Sequence, residues 1–406
     1  MSVELIVEDK QKRTIQKKEE IKFSSFSSFH LIQIIARAKN RKQLSDQATN
    51  DENITIKINS KTFPELIHPQ ELTNSPAAFS GTKLRNLSKT IYLLTFLKGK
   101  NQIVTLETNK PPNTASFEGL SIHSLSLDQH LDLAIENQAE DGDRRPWITL
   151  VLVNLPLVSV TPTTTFSRRK RDSDDVKIII DGKTQGNLVE KIKHFLWRYV
   201  GSLLPWTSPI KTMTETLVVN LPSGLHYIEF WADRMPVLKS LTIDFGIKPS
   251  LPEGIPAIDN PKWTGDFYDD TSEIILARAI LGEAEGVSEK AKIAVGWTIK
   301  NRVLAQRDQE WGLTYHDIIL KTNQFDAFVK KERLDKLTNP LNTTNEEVKK
   351  AWYESCTIAS QIVDGSLPDP TDGATNFYST PIEITPGWAT PQRFKIQIDN
   401  VYFYKL

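Results

Sequence analysis

Cysteine is nearly absent from this 406-residue chain, which holds only Cys356. A single thiol excludes an intramolecular disulfide and any cysteine-based metal cluster. Set in a helical pattern, Cys356 reads as a small buried hydrophobe. Net charge is also missing, because 50 Lys and Arg balance 50 Asp and Glu. That excludes a chain-wide electrostatic footprint for nucleic acid. No apolar run is long enough to span a membrane, and the longest, Ile148 to Val160, falls short. The opening residues MSVELIVEDKQKRTIQKKEE are charged and lack the apolar centre of a secretory signal. No His or carboxylate cluster has metal-ligand spacing, so neither metal nor cofactor is expected. What remains is an ordinary globular balance, 39% hydrophobic and 25% charged, in a length that suits about two to four domains.

Texture divides the chain. Residues 1–50 are poorly defined and are expected at most to join a first β unit. Residues 51–160 and 161–246 read as two copies of one β-sandwich. Ile54, Ile56 and Ile58 alternate before the turn residues Asn59-Ser60-Lys61; Val176, Ile178 and Ile180 alternate before Asp181-Gly182-Lys183. Period-two alternation closed by turn residues marks a hairpin. The spacing of Gly99 to Ile103 matches that of Gly224 to Ile228. Each is followed by an apolar run, a proline (Pro111 and Pro112, or Pro236) and a closing strand, Leu120-Ser-Ile122 or Leu241-Thr-Ile243. Ile148 to Val160 is expected to be a strand passing from the first copy to the second. The cluster Arg168 to Arg171, next to Asp172, Asp174 and Asp175, reads as a solvated loop of mixed charge. Residues 247–270, with Pro249, Pro252, Pro256 and Pro261, read as a linker. From Thr271 to Leu406 the pattern becomes helical.

Thr271 or Ser272 can cap a first helix. Ile274, Ala277 and Leu281 give it apolar residues at helical spacing, and it ends near Gly286. Ser288 can cap a second helix carrying Ile293, Val295, Trp297, Ile299 and Val303. Glu283 lies near the end of the first. A carboxyl against apolar walls is desolvated, and desolvation raises its pKa. A raised pKa suits a general acid near neutral pH.

The string Leu276-Ala-Arg-Ala-Ile-Leu-Gly-Glu-Ala-Glu-Gly286 resembles the opening motif of the SleB-type spore-cortex-lytic, cell-wall hydrolase family. The resemblance continues in order through Ala294-Val-Gly-Trp-Thr-Ile-Lys-Asn-Arg-Val303 and Gln324-Phe325 with Phe328. The helical stretch Ala351 to Ile362 follows, with Thr344 and Glu347 as its expected capping box. Asp369-Pro-Thr-Asp-Gly-Ala-Thr-Asn-Phe-Tyr378, Trp388 and a closing strand from Phe394 to Tyr404 complete the series. It covers roughly a third of the chain. The resemblance implies a mainly α, lysozyme-like (α+β) catalytic domain that follows the two tandem all-β sandwich-like units. It implies cleavage of the β-1,4 bond between N-acetylmuramic acid and N-acetylglucosamine, often by lytic transglycosylation, with Glu283 as the catalytic residue.

A hydrolase of the usual kind needs two carboxyl groups at a set separation. Glu285 is only two positions from Glu283 and would point to a different helix face. Asp326, Asp369 and Asp372 are the other candidates, and a single-glutamate mechanism fits more easily. Asn301, Gln324, Tyr378 and Trp388 are the candidate substrate-binding residues, with a structural role as the alternative for each. Trp197, Trp206, Tyr227 and Trp231 could stack on sugar faces if the β units bind carbohydrate; the alternatives are core packing and a spacer role. The expected partners are peptidoglycan glycan strands, without nucleic acid or a membrane span. The expected place of action is the cell wall, by an export route the residues do not specify. Two departures from the family stand out: Glu285 where arginine is usual, and Asp399-Asn400-Val401 where Gly-Asn-His is usual. They motivate an alternative reading as a catalytically impaired wall-binding or structural protein. The charged N-terminus and the β-rich leader motivate another, a phage-derived lysin.

Overall fold

The computed structural model describes residues 3–59, 61–62, 74–109, 114–167, 173–186, 199–200, 210–284, 286–307, 309–322, 324–382 and 384–406. Trp197, Trp206, Glu285, Pro111, Pro112 and the run from Arg168 to Asp172 lie outside them.

The first β unit is built from β1 (Val3–Asp9), β2 (Lys18–Ser24), β3 (Ser28–Arg37), β4 (Asn53–Ile58), β5 (Lys61–Thr62), β6 (Lys89–Leu97), β7 (Asn101–Thr108) and β8 (Ser116–Leu125). Their pairing orders are β1-β8-β3-β6 and β2-β7-β4-β5. The alternation of Ile54, Ile56 and Ile58 turns all three inward, where they meet Ile32, Ile91, Val104 and Ile122 in one core. Asn59 takes φ +50° and lets β4 double back on β5. The N-terminal segment is therefore not peripheral: β1, β2 and β3 supply three long strands to this unit.

The second unit repeats the order with β9 (His130–Gln138), β10 (Arg145–Ser167), β11 (Asp175–Ile180), β12 (Lys183–Thr184), β13 (Ile210–Thr214), β14 (Leu217–Asp233) and β15 (Val237–Asp244). Here the orders are β9-β15-β10-β13 and β10-β14-β11-β12. One long strand, β10, serves both. Its first part, from Arg145, pairs with β14, and its end pairs with β15 and β13. In the first unit β2 and β3 divide that work. Val160, Val176, Ile178, Phe230 and Ile243 share the second core.

The sequence-level boundaries shift accordingly. Residue 51 falls between β3 and β4 of one unit, and residue 160 falls inside β10. The expected strand Ile148 to Val160 is the middle of β10, and it does touch the first unit: Ile148 to Leu152 pair in parallel with Thr90 to Leu94 of β6. Two structurally separate sheets thus become one continuous sheet across the units. The matched glycines differ in setting. Gly99 turns between β6 and β7 at φ +85°, whereas Gly224 sits within β14 opposite Leu155.

The helical region holds α1 (Ser272–Glu283), α2 (Glu289–Ala305), α3 (Tyr315–Ile319), α4 (Lys331–Thr338) and α5 (Glu346–Asp364), then β16 (Asn376–Ser379), β17 (Phe394–Ile398) and β18 (Val401–Tyr404) in the order β16-β18-β17. Thr271 caps α1 through the Ile274 N–H, and Ser288 caps α2 through the Ala291 N–H. Asn345, not the expected Thr344, caps α5 by accepting from the Glu347 N–H. Helix α1 has more than an apolar stripe: every residue from Ile274 to Leu281 is buried, as a central core helix requires. It packs on α5 and α2. A Cβ on Gly296 of α2 would stand 2.5 Å from the Ile362 Cδ1 and 3.0 Å from the Ile280 Cδ1, so a larger residue would have to push those side-chain ends aside. Cys356 is buried in this core, and burial pushes its thiol up to about 12. Among the described residues no helix is long and apolar enough to cross a membrane.

The proline-rich stretch is a packed strap rather than a free linker. The Ile258 carbonyl accepts from the Trp352 indole at 2.8 Å, and the Trp263 N–H donates to the Thr338 carbonyl at 2.8 Å. The strap and α3 dock on the first β unit. The Ser27 N–H donates to the Tyr268 carbonyl at 2.9 Å. His316 stacks on Phe26 with ring centroids 4.6 Å apart and on Tyr268 at 5.5 Å.

Candidate active site

Glu283 is the last residue of α1. Its side chain is half-buried, and Oε1 accepts the main-chain N–H of Ala327 at 3.0 Å. Burial raises its pKa. The Ala327 bond, Arg333 and Lys330 pull the other way, while Asp326 adds to the rise. The C-terminal end of a helix carries partial negative charge, which also disfavours the ionised form. The result is a carboxyl whose pKa lies above its ordinary value, held by one directional hydrogen bond.

Gly282 makes that bond reachable. A Cβ there would lie 2.5 Å from the Ala327 Cβ and 3.4 Å from Leu337. The turn at Asp326–Phe328 therefore sits directly on the end of α1 because residue 282 has no side chain. Ala284, on the other side of Glu283, packs with Ala374, Val401 and Phe403 of the small sheet. The candidate acid is thus flanked by the turn and by the inner face of the sheet.

Behind α1, Arg278 grips the surrounding segments. Its guanidinium binds both oxygens of Asp270, at 2.7 and 3.0 Å, and both side chains are fully buried. It also donates to the carbonyls of Leu337 and Pro261. One side chain so ties α1, the end of α4 and the strap. Sequence reasoning passed over Arg278, Asp270 and Gly282; the glycine beside the motif glutamate was the available signal.

The other candidate site residues fall into two groups. Asn301 donates to Asp369 at 2.9 Å and to the Ala374 carbonyl at 3.0 Å. Gln324 accepts from Arg302 at 2.9 Å, and Arg302 also donates to the Thr375 carbonyl. Both amides are engaged in holding the loop from Asp369 to Thr375. Tyr378 and Trp388 belong elsewhere. Phe377 and Phe403 face the inner core, so alternation puts Tyr378 on the opposite face of the sheet. There Tyr378 stacks on Tyr402 at 5.3 Å and on Tyr404 at 5.8 Å. Trp388 meets Tyr404 edge-on at 5.5 Å. All four rings except Tyr404 are half-buried rather than buried.

The candidate second carboxylates have other engagements. Asp369 accepts from Thr371, Asn301 and Gly373, which lower its pKa against the effect of burial. Asp372 pairs with Lys395, and Asp326, exposed, pairs with Lys330 at 2.5 Å. Among the described residues no group of three His, Cys, Asp or Glu converges as a metal site would require.

In the β units, Tyr227 and Trp231 lie on one face of β14, while Ile228, Phe230 and Ala232 face the core. Tyr227 packs against the first unit's core. Trp231 is half-buried and donates to Glu229 at 3.0 Å, so it points away from the core of its own unit.

Residues 286–404 match the model of a family described as Cell Wall Hydrolase. The matched span begins three residues after Glu283. None of the curated proteins compared matches the chain. Among solved structures, the catalytic domain of the Bacillus cereus SleB protein is 24% identical, over 33% of this chain and 90% of that one, with TM-score 0.24. The catalytic domain of a germination-specific lytic transglycosylase SleB from Bacillus anthracis is 24% identical, over 35% and 98%, with TM-score 0.25. The glycosylasparaginase PNGase F from Flavobacterium meningosepticum is 10% identical, over 60% and 96%, with TM-score 0.19. The C-terminal third of this chain is thus the part similar to the cell wall hydrolases.

Proposed function

We propose that the helical domain cleaves the β-1,4 bond between N-acetylmuramic acid and N-acetylglucosamine in peptidoglycan, with Glu283 as its only catalytic carboxyl. The observation that carries this reading is the half-buried Glu283 carboxyl, raised by desolvation and aimed by the Ala327 N–H. In the first step protonated Glu283 gives its proton to the glycosidic oxygen as the anomeric C–O bond breaks. In the second the muramoyl 6-hydroxyl attacks the anomeric carbon, and the Glu283 carboxylate takes the hydroxyl proton. The glutamate ends protonated and ready for another cycle, and the product carries a 1,6-anhydro end. The engagement of Asp369 and Asp372 with other partners favours one carboxyl over the two that a hydrolytic pair needs.

In the same reading Tyr378 and Trp388 supply ring surfaces for sugar, while Asn301 and Gln324 hold the neighbouring loop and Arg302 in place. The two β units act as tandem sandwiches that present the catalytic domain at the wall, with Trp231 as a candidate sugar contact. The test is direct. The purified chain clears a peptidoglycan suspension, and Glu283→Gln abolishes clearing. Mass spectrometry of the products separates the mechanisms: anhydro ends support the single-glutamate route, and reducing ends overturn it.

A further inference from the structure

The first β unit, the strap and the helices line an open cavity of about 500 Å³. Its walls are aliphatic, with Leu125 and Leu127 from the β unit, Leu251 from the strap, and Ile274 and Val303 from α1 and α2. Four charged side chains also line it: Glu4, Glu273, Lys248 and Lys300. Glu4 of β1 lines the cavity, and its Oε1 is buried with no hydrogen-bond partner among the described residues. Its surroundings are acidic. Burial first, then Asp317 and Glu273, push the Glu4 carboxyl up to about 8, against the Ser272 hydroxyl, which lowers it.

Neither lysine of the lining forms an ion pair with Glu4 among the described contacts. Lys300 donates to the Ile362 carbonyl and lies 4.7 Å over the Trp297 ring. Lys248 is exposed on the strap. Glu273 is occupied by the Ser126 hydroxyl, and Asp317 by the Thr314 hydroxyl at 2.9 Å. The cavity therefore joins an apolar body to the Glu4 carboxyl, which has acidic neighbours and, among the described residues, the Ser272 hydroxyl beside it.

We propose that this cavity binds a small ligand with an aliphatic body and a primary ammonium, the ammonium pairing with Glu4. The apolar walls remove the chain from water, and a desolvated ammonium–carboxylate bond is worth more than its exposed counterpart. The site is separate from Glu283. Thr271 to Ile274 at the start of α1 line it, and Glu283 ends the same helix, roughly 15 Å further on at the usual helical rise. Occupancy would lock the β unit on the helical domain without touching the candidate acid.

The experiment is calorimetric titration of the full chain with n-hexylamine and with n-hexanol at about pH 9, above the Glu4 value of about 8 and where the amine is still charged. Hexylamine is expected to bind saturably at one site and hexanol at least about tenfold more weakly. Glu4→Gln should remove that preference. Absence of saturable amine binding, equal binding of hexanol, or a preference that survives Glu4→Gln overturns the proposal. The amine–alcohol comparison uses the unaltered chain, so it decides the matter even if Glu4→Gln fails to fold.

Discussion

The Glu283 carboxylate and the Ala327 N–H, 44 residues apart in sequence, meet at 3.0 Å because Gly282 leaves room for the turn between them. Gly282→Ala places a methyl group 2.5 Å from the Ala327 Cβ. The turn must retreat, and the hydrogen bond that aims the acid goes with it. We expect a large loss of kcat together with a destabilisation of about 1–3 kcal/mol, the usual cost of overpacking. Rates on purified glycan strands and denaturant melts measure the two separately. Unchanged kcat in a destabilised protein would show that the Ala327 contact does not position the acid.

The acid must be protonated at the first step, so activity should fall as pH rises through the folded pKa of Glu283. That pKa lies above the ordinary value of 4.5. Arg333 lowers it and Asp326 raises it. Arg333→Gln should therefore move the alkaline limb of kcat/KM to higher pH, and Asp326→Asn should move it lower. Opposite displacements in the pH–rate profiles are the signature. Displacement in the same direction would remove Glu283 as the titrating group.

Glu4 makes a separate contribution to stability. Its folded pKa, about 8, exceeds its ordinary 4.5. A carboxyl raised in the folded state stabilises fully below the unfolded pKa and loses that contribution as pH rises through the folded one. The chain should lose stability between about pH 4.5 and 8, by on the order of a few kcal/mol. Glu4→Gln should flatten this slope in thermal melts across the window. An unaltered slope would mean that the Glu4 carboxyl is not desolvated in the folded chain.

Arg278 and Asp270 form a fully buried pair. Removing one partner leaves the other charge stranded. Asp270→Asn or Arg278→Met should cost about 3–5 kcal/mol in urea unfolding of the full chain. The double substitution should cost less than the sum of the singles. Additive losses would show that the two side chains do not act as a unit.

Asn301 and Tyr378 differ in surroundings, so their alanine variants should differ in kind. Asn301→Ala strands the Asp369 loop and should lower stability by about 1–3 kcal/mol. Tyr378→Ala removes a half-buried ring from the outer sheet face and should raise KM for glycan strands, with a small change in melting temperature. A raised KM for Asn301→Ala at unchanged stability would reassign its amide to the substrate.

Much of the β region was readable from residues. Ile54, Ile56 and Ile58, like Val176, Ile178 and Ile180, announce their strands because alternation depends only on neighbours along the chain. The hairpins at Asn59 and Asp181 follow from turn chemistry for the same reason. The place of β1 and β2 was not readable, because charged edge strands such as Lys18–Ser24 lack a clean pattern; β3 is an interior, apolar strand whose partners lie far along the chain. The parallel pairing of β6 with β10 was hidden because no local rule chooses a partner strand more than fifty residues away.

The sequence by itself determined the hairpins, the caps at Thr271 and Ser288, the burial of Cys356 and the motif glutamate at the end of α1. Each rests on propensities and spacings within a few residues. The tertiary structure alone decided what surrounds that glutamate: the Ala327 donor, the Arg278–Asp270 pair that holds the frame, and the separation of Tyr378 from the inner face of its sheet. It also decided that the proline-rich strap packs and that the Glu4 Oε1 is buried. Desolvation and hydrogen-bond geometry arise between segments distant in sequence, so they exist only once the chain has folded.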